Sequence, residues 1–479
     1  MRDSKGQWNE HTEAALARHQ RYRALFLGHH RAYLVSATES RPFSYITVNW
    51  LGDRLTRRMS ELVLPSFPKL TAAGGNQADV DRMVETLRLP ELVEPASMAV
   101  SYAGRAAWKV YWSRAAGAPA LRLWGANPGE LAVFDYWAGD PAAPYAVNFW
   151  YVVTRKNESY RIRERYEVQV GAGAAAGPRP VRATNAAFSG DGSRPVPLAQ
   201  AWPDQETRPP EETVWHLTSL PGYPVDNPDV SGNGAGDSDY TESLISIQKS
   251  LNLLVAQRAA VITLTEFPVV DIPAKMIRPD GTVDISAFWL HVQQPGENDV
   301  TPVKISNWDG NLEKSAQQWE KLDREFRNLT PLNLDADAGV GSGESGTHRR
   351  LVLLPTEVAV NRRRPRWVPA FGWAIRTAQE LARGMGADFG QPVRSVRAEW
   401  PEAIPEDPEA VSRQMTSEYR EGILSLETAV RRTNPERDDV WVQEELARIR
   451  ADAAERRATA VPDLGNPFGG AGDTGGAAG

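Results

Sequence analysis

A chain of 479 residues is long enough to bury a sizeable core and to build two or three ordinary domains. Its 41% apolar and 24% charged residues suit a soluble globular protein, and the absence of cysteine excludes disulfides and thiolate metal sites. The net charge of -7, with Asp and Glu outnumbering Lys and Arg, argues against a tight nucleic-acid clamp, which needs a concentrated basic surface.

The N-terminal "MRDSKGQWNEHTEAALARHQ" is polar and lacks the apolar stretch of a signal peptide. No run of about 18 apolar residues occurs, so no transmembrane helix and a non-secreted, soluble protein are expected. Over residues 8–35 the apolar residues include Leu16 and Tyr22, with Leu25 and Phe26 three and four residues beyond Tyr22, the spacing of a helix. Further helices are predicted over Thr47–Leu64, stopping at Pro65, and over "QADVDRMVETLRL". From Glu94 to Val170 short aromatic and β-branched runs alternate with Gly, Pro, Asn and Asp, a strand-and-turn rhythm. Gly171 to Pro210, rich in Gly, Ala and Pro, reads as a loose insertion.

A long helix is predicted from Asp239 to Leu264, with Asp or Ser as its cap and no Gly or Pro inside. A compact strand-like stretch with a Pro-Asp-Gly turn at 279–281 follows. Then Leu312, Ala316, Trp319, Leu322, Phe326 and Leu329, at steps of four and three, mark a one-sided amphipathic helix ending before Pro331. The C-terminal third predicts a helix ending in Gly, a strand in "PVRSVRAEW", short helices to about residue 458, and a disordered Gly- and Ala-rich tail.

The stretch "DADAGVGSGESGTHRR" (335–350) carries three chemical spacings. Gly341-x-Gly343-x-x-Gly346 matches a dinucleotide fingerprint, but a helix and Thr330-Pro331 precede it where a strand is required. Read as a phosphate loop it has Thr347 where the lysine belongs. Asn333, Asp335, Asp337 and Glu344 fall at EF-hand positions, yet the turn position that wants glycine is Ala338. The pairs Asp237/Asp239 and Asp335/Asp337 are better explained by helix capping and loop solvation than by a divalent ion. Seven histidines show no zinc spacing, and neither a Gly-x-Ser-x-Gly elbow nor a cysteine nucleophile exists. The most basic run, Asn361–Arg366, is short and reads better as a solvated or interface-pairing face than as a nucleic-acid clamp. No cofactor, no metal and no catalysis are expected.

The element order resembles the portal proteins of tailed bacteriophages, especially the siphophage-type family, over roughly residues 15–458. The pieces that carry the likeness are "YRALFLGHHRAYL", "FSYITVNWLGDRLT", "DSDYTESLISIQKSLNLLVAQ" with its Leu251-Asn252 pair, "TPLNLDADAGVGSGESG", "AEWPEAIPEDPEAV", "GILSLETAVRR" and "VQEELARIRADAAE". Two features depart from that family: Pro355, Pro365 and Pro369 fall where its long helix is unbroken, so a helix that is kinked or starts late, near Ala370, is expected, and the 171–210 linker is longer.

The resemblance implies an α+β portal-type fold: an α/β wing, a two-helix stem flanking a small β-containing clip, and a helical C-terminal crown. Its parts would be an N-terminal helical wing portion (1–93), a β-rich wing (94–236), stem helix one (237–264), clip (265–309), stem helix two (310–330), tunnel loop (331–349), wing helix and strand (350–404), crown (405–460) and disordered tail (461–479). Leu244, Leu251, Leu312, Trp319, Leu322 and Phe326 would pack the stem. Asp335, Asp337, Gly339, Gly341, Ser342, Gly343, Glu344, Ser345 and Gly346 would form the loop that meets DNA. The implied assembly is a homo-oligomeric ring, usually of twelve subunits, at one capsid vertex of the virion, built in the host cytoplasm. Double-stranded DNA passes through it without sequence recognition. Its implied partners are the terminase large subunit, a head–tail adaptor, and major capsid and scaffolding proteins, with no membrane. The alternatives are a nucleotide- or metal-dependent phage enzyme using the 335–350 loop, or another structural virion protein.

Overall fold

The computed structural model describes residues 8, 10–35, 45–74, 76–137, 140–169, 180–202, 209–214, 216–231, 235–266, 269–271, 304–306, 312–330, 332, 346–402, 415–434 and 437–459. The fold is α+β, and the chain divides into two compact units, Met1–Ile404 and Pro405–Gly479.

The N-terminal apolar steps fold as α1 (Glu10–Phe26), with Leu16 and Leu25 buried and Tyr22 and Phe26 packed against the core; α2 (Arg31–Leu34) follows. The helix predicted over Thr47–Leu64 opens as a π-helix (Leu51–Arg57) and tightens into α3 (Arg58–Val63). Gly52 explains the close approach there, because a Cβ would lie 2.5 Å from the Phe26 carbonyl oxygen. Strand β1 (Lys69–Ala72) comes next, then α4 (Gln77–Thr86), whose cap Asn76 accepts from the Ala78 amide.

The strand rhythm begins later than Glu94. Residues "MAVSYA" belong to α5 (Leu89–Ala103), which starts with proline in its first turn and ends at Gly104 with φ 81°. A Cβ at Gly104 would sit 2.2 Å from the Gly236 carbonyl oxygen, so helix end and incoming chain meet where only glycine fits. Ten residues of helical propensity win there over the β-branched and aromatic content.

Strands β2 (Arg105–Ser113), β3 (Ala118–Trp124), β4 (Leu131–Trp137), β5 (Asp140–Arg155) and β6 (Glu158–Val168) follow. The β5–β6 turn is Lys156-Asn157, both with positive φ, the conformation that matches strand twist in a two-residue hairpin. The stretch read as a loose insertion also contributes structure: β7 (Val181–Ser189), β8 (Pro195–Val196) and α6 (Leu198–Ala201). Its Gly- and Ala-rich composition is concentrated before Pro180, and from Val181 apolar and polar residues alternate. With β9 (Glu211–Val214) and β10 (Gly222–Asp226) these make two antiparallel sheets: β10-β2-β3, and β4-β5-β6-β7-β8 with β9 on β7.

Two long helices, α7 (Glu242–Glu266) and α8 (Leu312–Leu329), follow, with β11 (Val269–Asp271) and β12 (Lys304–Ser306) pairing antiparallel between them in sequence. Helix α9 (Gly346–Arg363), a 3-10 turn (Arg364–Arg366) and α10 (Trp367–Gly384) then run on in succession. The late start near Ala370 is therefore not observed. Pro369 lies in the first turn of α10, where the missing N–H has no helical partner to lose, Pro365 lies in the 3-10 turn, and Pro355 is carried inside α9. Strand β13 (Val396–Glu399) closes a two-stranded sheet with β1.

The main core joins α1, α3, α4, α5, α7, α8, α9 and α10 to the face of the β10-β2-β3 sheet, with Trp108, Trp367 and Phe371 at its centre. A smaller core of Ala107, Trp124, Phe134, Val147, Phe149 and Leu220 lies between the two sheets. The second unit has its own core, Val430, Val442 and Leu446, between α11 (Leu426–Thr433), capped by Ser425, and α12 (Asp439–Thr459).

Candidate functional site

Helices α7 and α8 pack against each other, and only parts of each are covered. On α7, Leu244, Ile245, Ile247, Gln248, Leu251, Asn252 and Ala256 are buried, while Gln257 and Ile262 farther on are exposed. On α8, Leu322 and Phe326 are buried and Trp319 packs against the same core from a half-buried position. Leu312 is the first residue of α8, and its side chain lies outside the described residues. Trp50, from the residue before the π-helix, is the hub: its ring meets Trp319 at 5.1 Å and Phe326 at 5.3 Å, both edge to face. Arg54 lies over the Trp50 ring at 4.2 Å and pairs with Asp323 at 2.7 Å. Asp323 also pairs with Arg327 one turn on, and the Thr330 hydroxyl donates to the Arg327 carbonyl at the helix end.

The cap of α7 (Glu242–Glu266) is not the expected Asp or Ser. Thr241 takes the capping role, its hydroxyl accepting from the Leu244 amide. Asp239 instead forms a buried pair with Arg363, at 2.6 Å, and accepts from Asn227 and from the Ser101 hydroxyl. Asp237 gathers the Val230 and Ser231 amides and the Ser231 hydroxyl; that last bond holds its carboxyl below the usual carboxylate range. The two aspartates thus serve different neighbours. Among the described residues no group of three His, Asp or Glu could hold a metal ion.

The basic run Asn361–Arg366 is half consumed internally. Arg363 holds Asp239, and buried Arg364 donates to the Val63 and Leu62 carbonyls at the end of α3. Burial lowers the Arg364 pKa, and its guanidinium supplies donors to helix-end carbonyls that have no intrahelical partner. Of its four arginines, only Arg362 and Arg366 are exposed.

Three buried polar side chains, His30, Gln248 and Asn252, tie the N-terminal segment to α7. Asn252 accepts from the Val48 amide at 2.9 Å and donates to Tyr45 and His30, each at 2.8 Å. Gln248 accepts from the Leu51 amide and donates to the Val48 carbonyl and to Asn252. Asn49 bridges the Phe26 carbonyl and the Gly52 amide. Leu251-Asn252 stood out in the sequence, whereas His30 and Gln248 did not. Their signal lies in partners some 200 residues away, which no local spacing reveals.

The residues expected at the loop, Asp335, Asp337, Gly339, Gly341, Ser342, Gly343, Glu344 and Ser345, lie outside the described residues, as does Asn333; Gly346 opens α9. The same holds for most of 265–309, including the 279–281 turn, and for 461–479.

No protein-family model matches the chain, and no curated protein matches it in sequence. Among solved structures, it is similar to a chain in the neck of an empty GTA particle computed with C6 symmetry. That likeness is 12% in identity over 79% of this chain and 88% of that one, with a TM-score of 0.40. A chain in the neck of a native GTA particle computed with C12 symmetry is similar at 11% identity over 80% and 88%, with a TM-score of 0.34. Both scores fall below the level at which a shared fold follows.

Proposed function

We propose that the chain is the subunit of a portal-type ring, a head–tail connector through which double-stranded DNA passes during packaging and ejection. The strongest support is the helix–ladder–helix unit: α7 and α8, packed together, are joined by a segment whose ends pair as β11 and β12. In this reading α7 and α8 are the stem, 265–309 the clip, 331–349 the loop facing the channel, the two sheets and their helices the wing, and the second unit the crown. The ring count of twelve and the partners, terminase, adaptor, capsid and scaffold, belong to the same proposal.

Electrostatics favours passage over grip. Helix α7 carries two acidic and two basic residues and α8 four of each, so neither presents the one-signed basic face that tight phosphate binding needs. The loop adds only Asp335, Asp337 and Glu344, among glycines and serines. Such a segment touches DNA without holding it.

Shortening Gly339 to Ser345 is expected to leave the ring intact while impairing DNA packaging or retention; normal packaging by that variant would remove the loop from the channel. Calorimetry with ATP, NAD and calcium is expected to show no micromolar binding. Tight, saturable binding of any of the three would favour an enzyme using residues 335–350.

A further inference from the structure

His30 is fully buried, and its hydrogen bonds admit only one arrangement of protons. Main-chain groups have fixed polarity. The Val48 amide can only donate, so the Asn252 atom it meets at 2.9 Å is the oxygen. The Asn252 nitrogen must then face Tyr45 and the His30 Nδ1, each at 2.8 Å. An amide nitrogen can only donate, so Nδ1 accepts and carries no proton. From the other side, the Leu25 carbonyl can only accept, so Nε2, at 2.9 Å, carries one. Both ends require the same neutral imidazole. Gln248 closes the alternative: it takes the Leu51 amide on its oxygen and spends its nitrogen on the Val48 carbonyl and the Asn252 oxygen, so Asn252 cannot turn over without opposing like groups.

We propose that His30 and Asn252 form a proton-sensitive latch, in which a proton on His30 releases Tyr45–Leu51 from the first half of α7. A second proton would place Nδ1–H against the Asn252 N–H, two donors with nothing between them, inside a buried cluster. Burial lowers the His30 pKa, while hydrogen bonds to Leu25, Asn49 and Asn252 and the charge of Asp53 on the π-helix act against burial. Asp53 is the charged group acting on the ring, and Tyr45 reaches it through Asn252. The sign follows from linkage. The released state takes up a proton near the ordinary histidine value of about 6.5, the latched state only at lower pH, so the latch is at full strength above about 6.5 and weakens as pH falls below it. The device does not depend on whether α7 lines a channel.

Amide hydrogen exchange of the full-length protein between pH 7.5 and 5.5, corrected for intrinsic pH dependence, reads the latch at the Val48 and Leu51 amides. Their opening is expected to rise by up to about tenfold per pH unit below about 6.5, the slope of one proton. His30→Gln should abolish that slope. Asn252→Asp replaces the opposing donor with an acceptor for Nδ1–H, so its opening should fall as the pH is lowered; this variant decides the matter if His30→Gln does not fold. Protection in the wild type that is constant over the range, or an Asn252→Asp variant with the wild-type slope, would overturn the proposal.

Discussion

Phe326 is fully enclosed and stacks edge to face on Trp50, whereas Trp319 touches the same ring from a half-exposed position. Removing a buried phenylalanine ring leaves a cavity, so Phe326→Ala is expected to cost about 3–5 kcal/mol, with a smaller loss for Trp319→Ala because solvent already reaches that site. Denaturant unfolding at neutral pH measures both. A Phe326→Ala variant with the wild-type midpoint would mean that the α8 contact with Trp50 carries no stability. Leu322 and Phe326 were legible as periodic apolar positions, since a one-sided helix must bury its stripe. Trp50 and Arg54 were not, because their value comes from a π-helix that brings them under α8, and a π-turn has no sequence period to recognise.

At the scale of elements, the two sheets are held in register by a charge as well as by apolar area. Lys109 on β2 and Glu164 on β6 are both buried and paired, with the Tyr151 hydroxyl donating to Glu164 at 3.0 Å. The Lys109 ammonium also lies 4.8 Å from the Trp124 ring centre and 4.7 Å from that of Phe149. Lys109→Met strands a buried carboxylate and is expected to cost about 3–5 kcal/mol, while Lys109→Met with Glu164→Gln should recover most of it. A double variant no more stable than the single one would show that the pair matters for more than mutual neutralisation. The strands themselves were readable from alternation, but their limits were not. Helix α5 ran into the expected strand region until Gly104 stopped it, and β7 emerged from a stretch whose average composition suggested a loop. The α9–α10 succession shows the converse. The prolines predicted a kinked or late-starting helix; the interruption is confined to the 3-10 turn, because first-turn and 3-10 positions tolerate proline with few hydrogen bonds to lose.

For the whole molecule, the excess of acid is unevenly placed. Residues 405–479 hold 15 Asp and Glu against 9 Arg, so nearly all of the -7 lies in the second unit, and the first, which contains α7 and α8, is close to neutral. The composition-based case against a DNA clamp therefore rests on the balanced helices themselves more than on the net charge. Element order, which the sequence displays through its long helices, carried the proposal of a connector. The loop at its centre did not, because glycine-rich spacings fit several chemistries and none of its contacts is described. Direct electron-microscope imaging of the purified full-length protein tests the proposal most directly. Closed rings with a central opening lined by α7 and α8 are predicted; particles that remain single subunits at every concentration, or closed assemblies with α7 and α8 turned away from the opening, would contradict it.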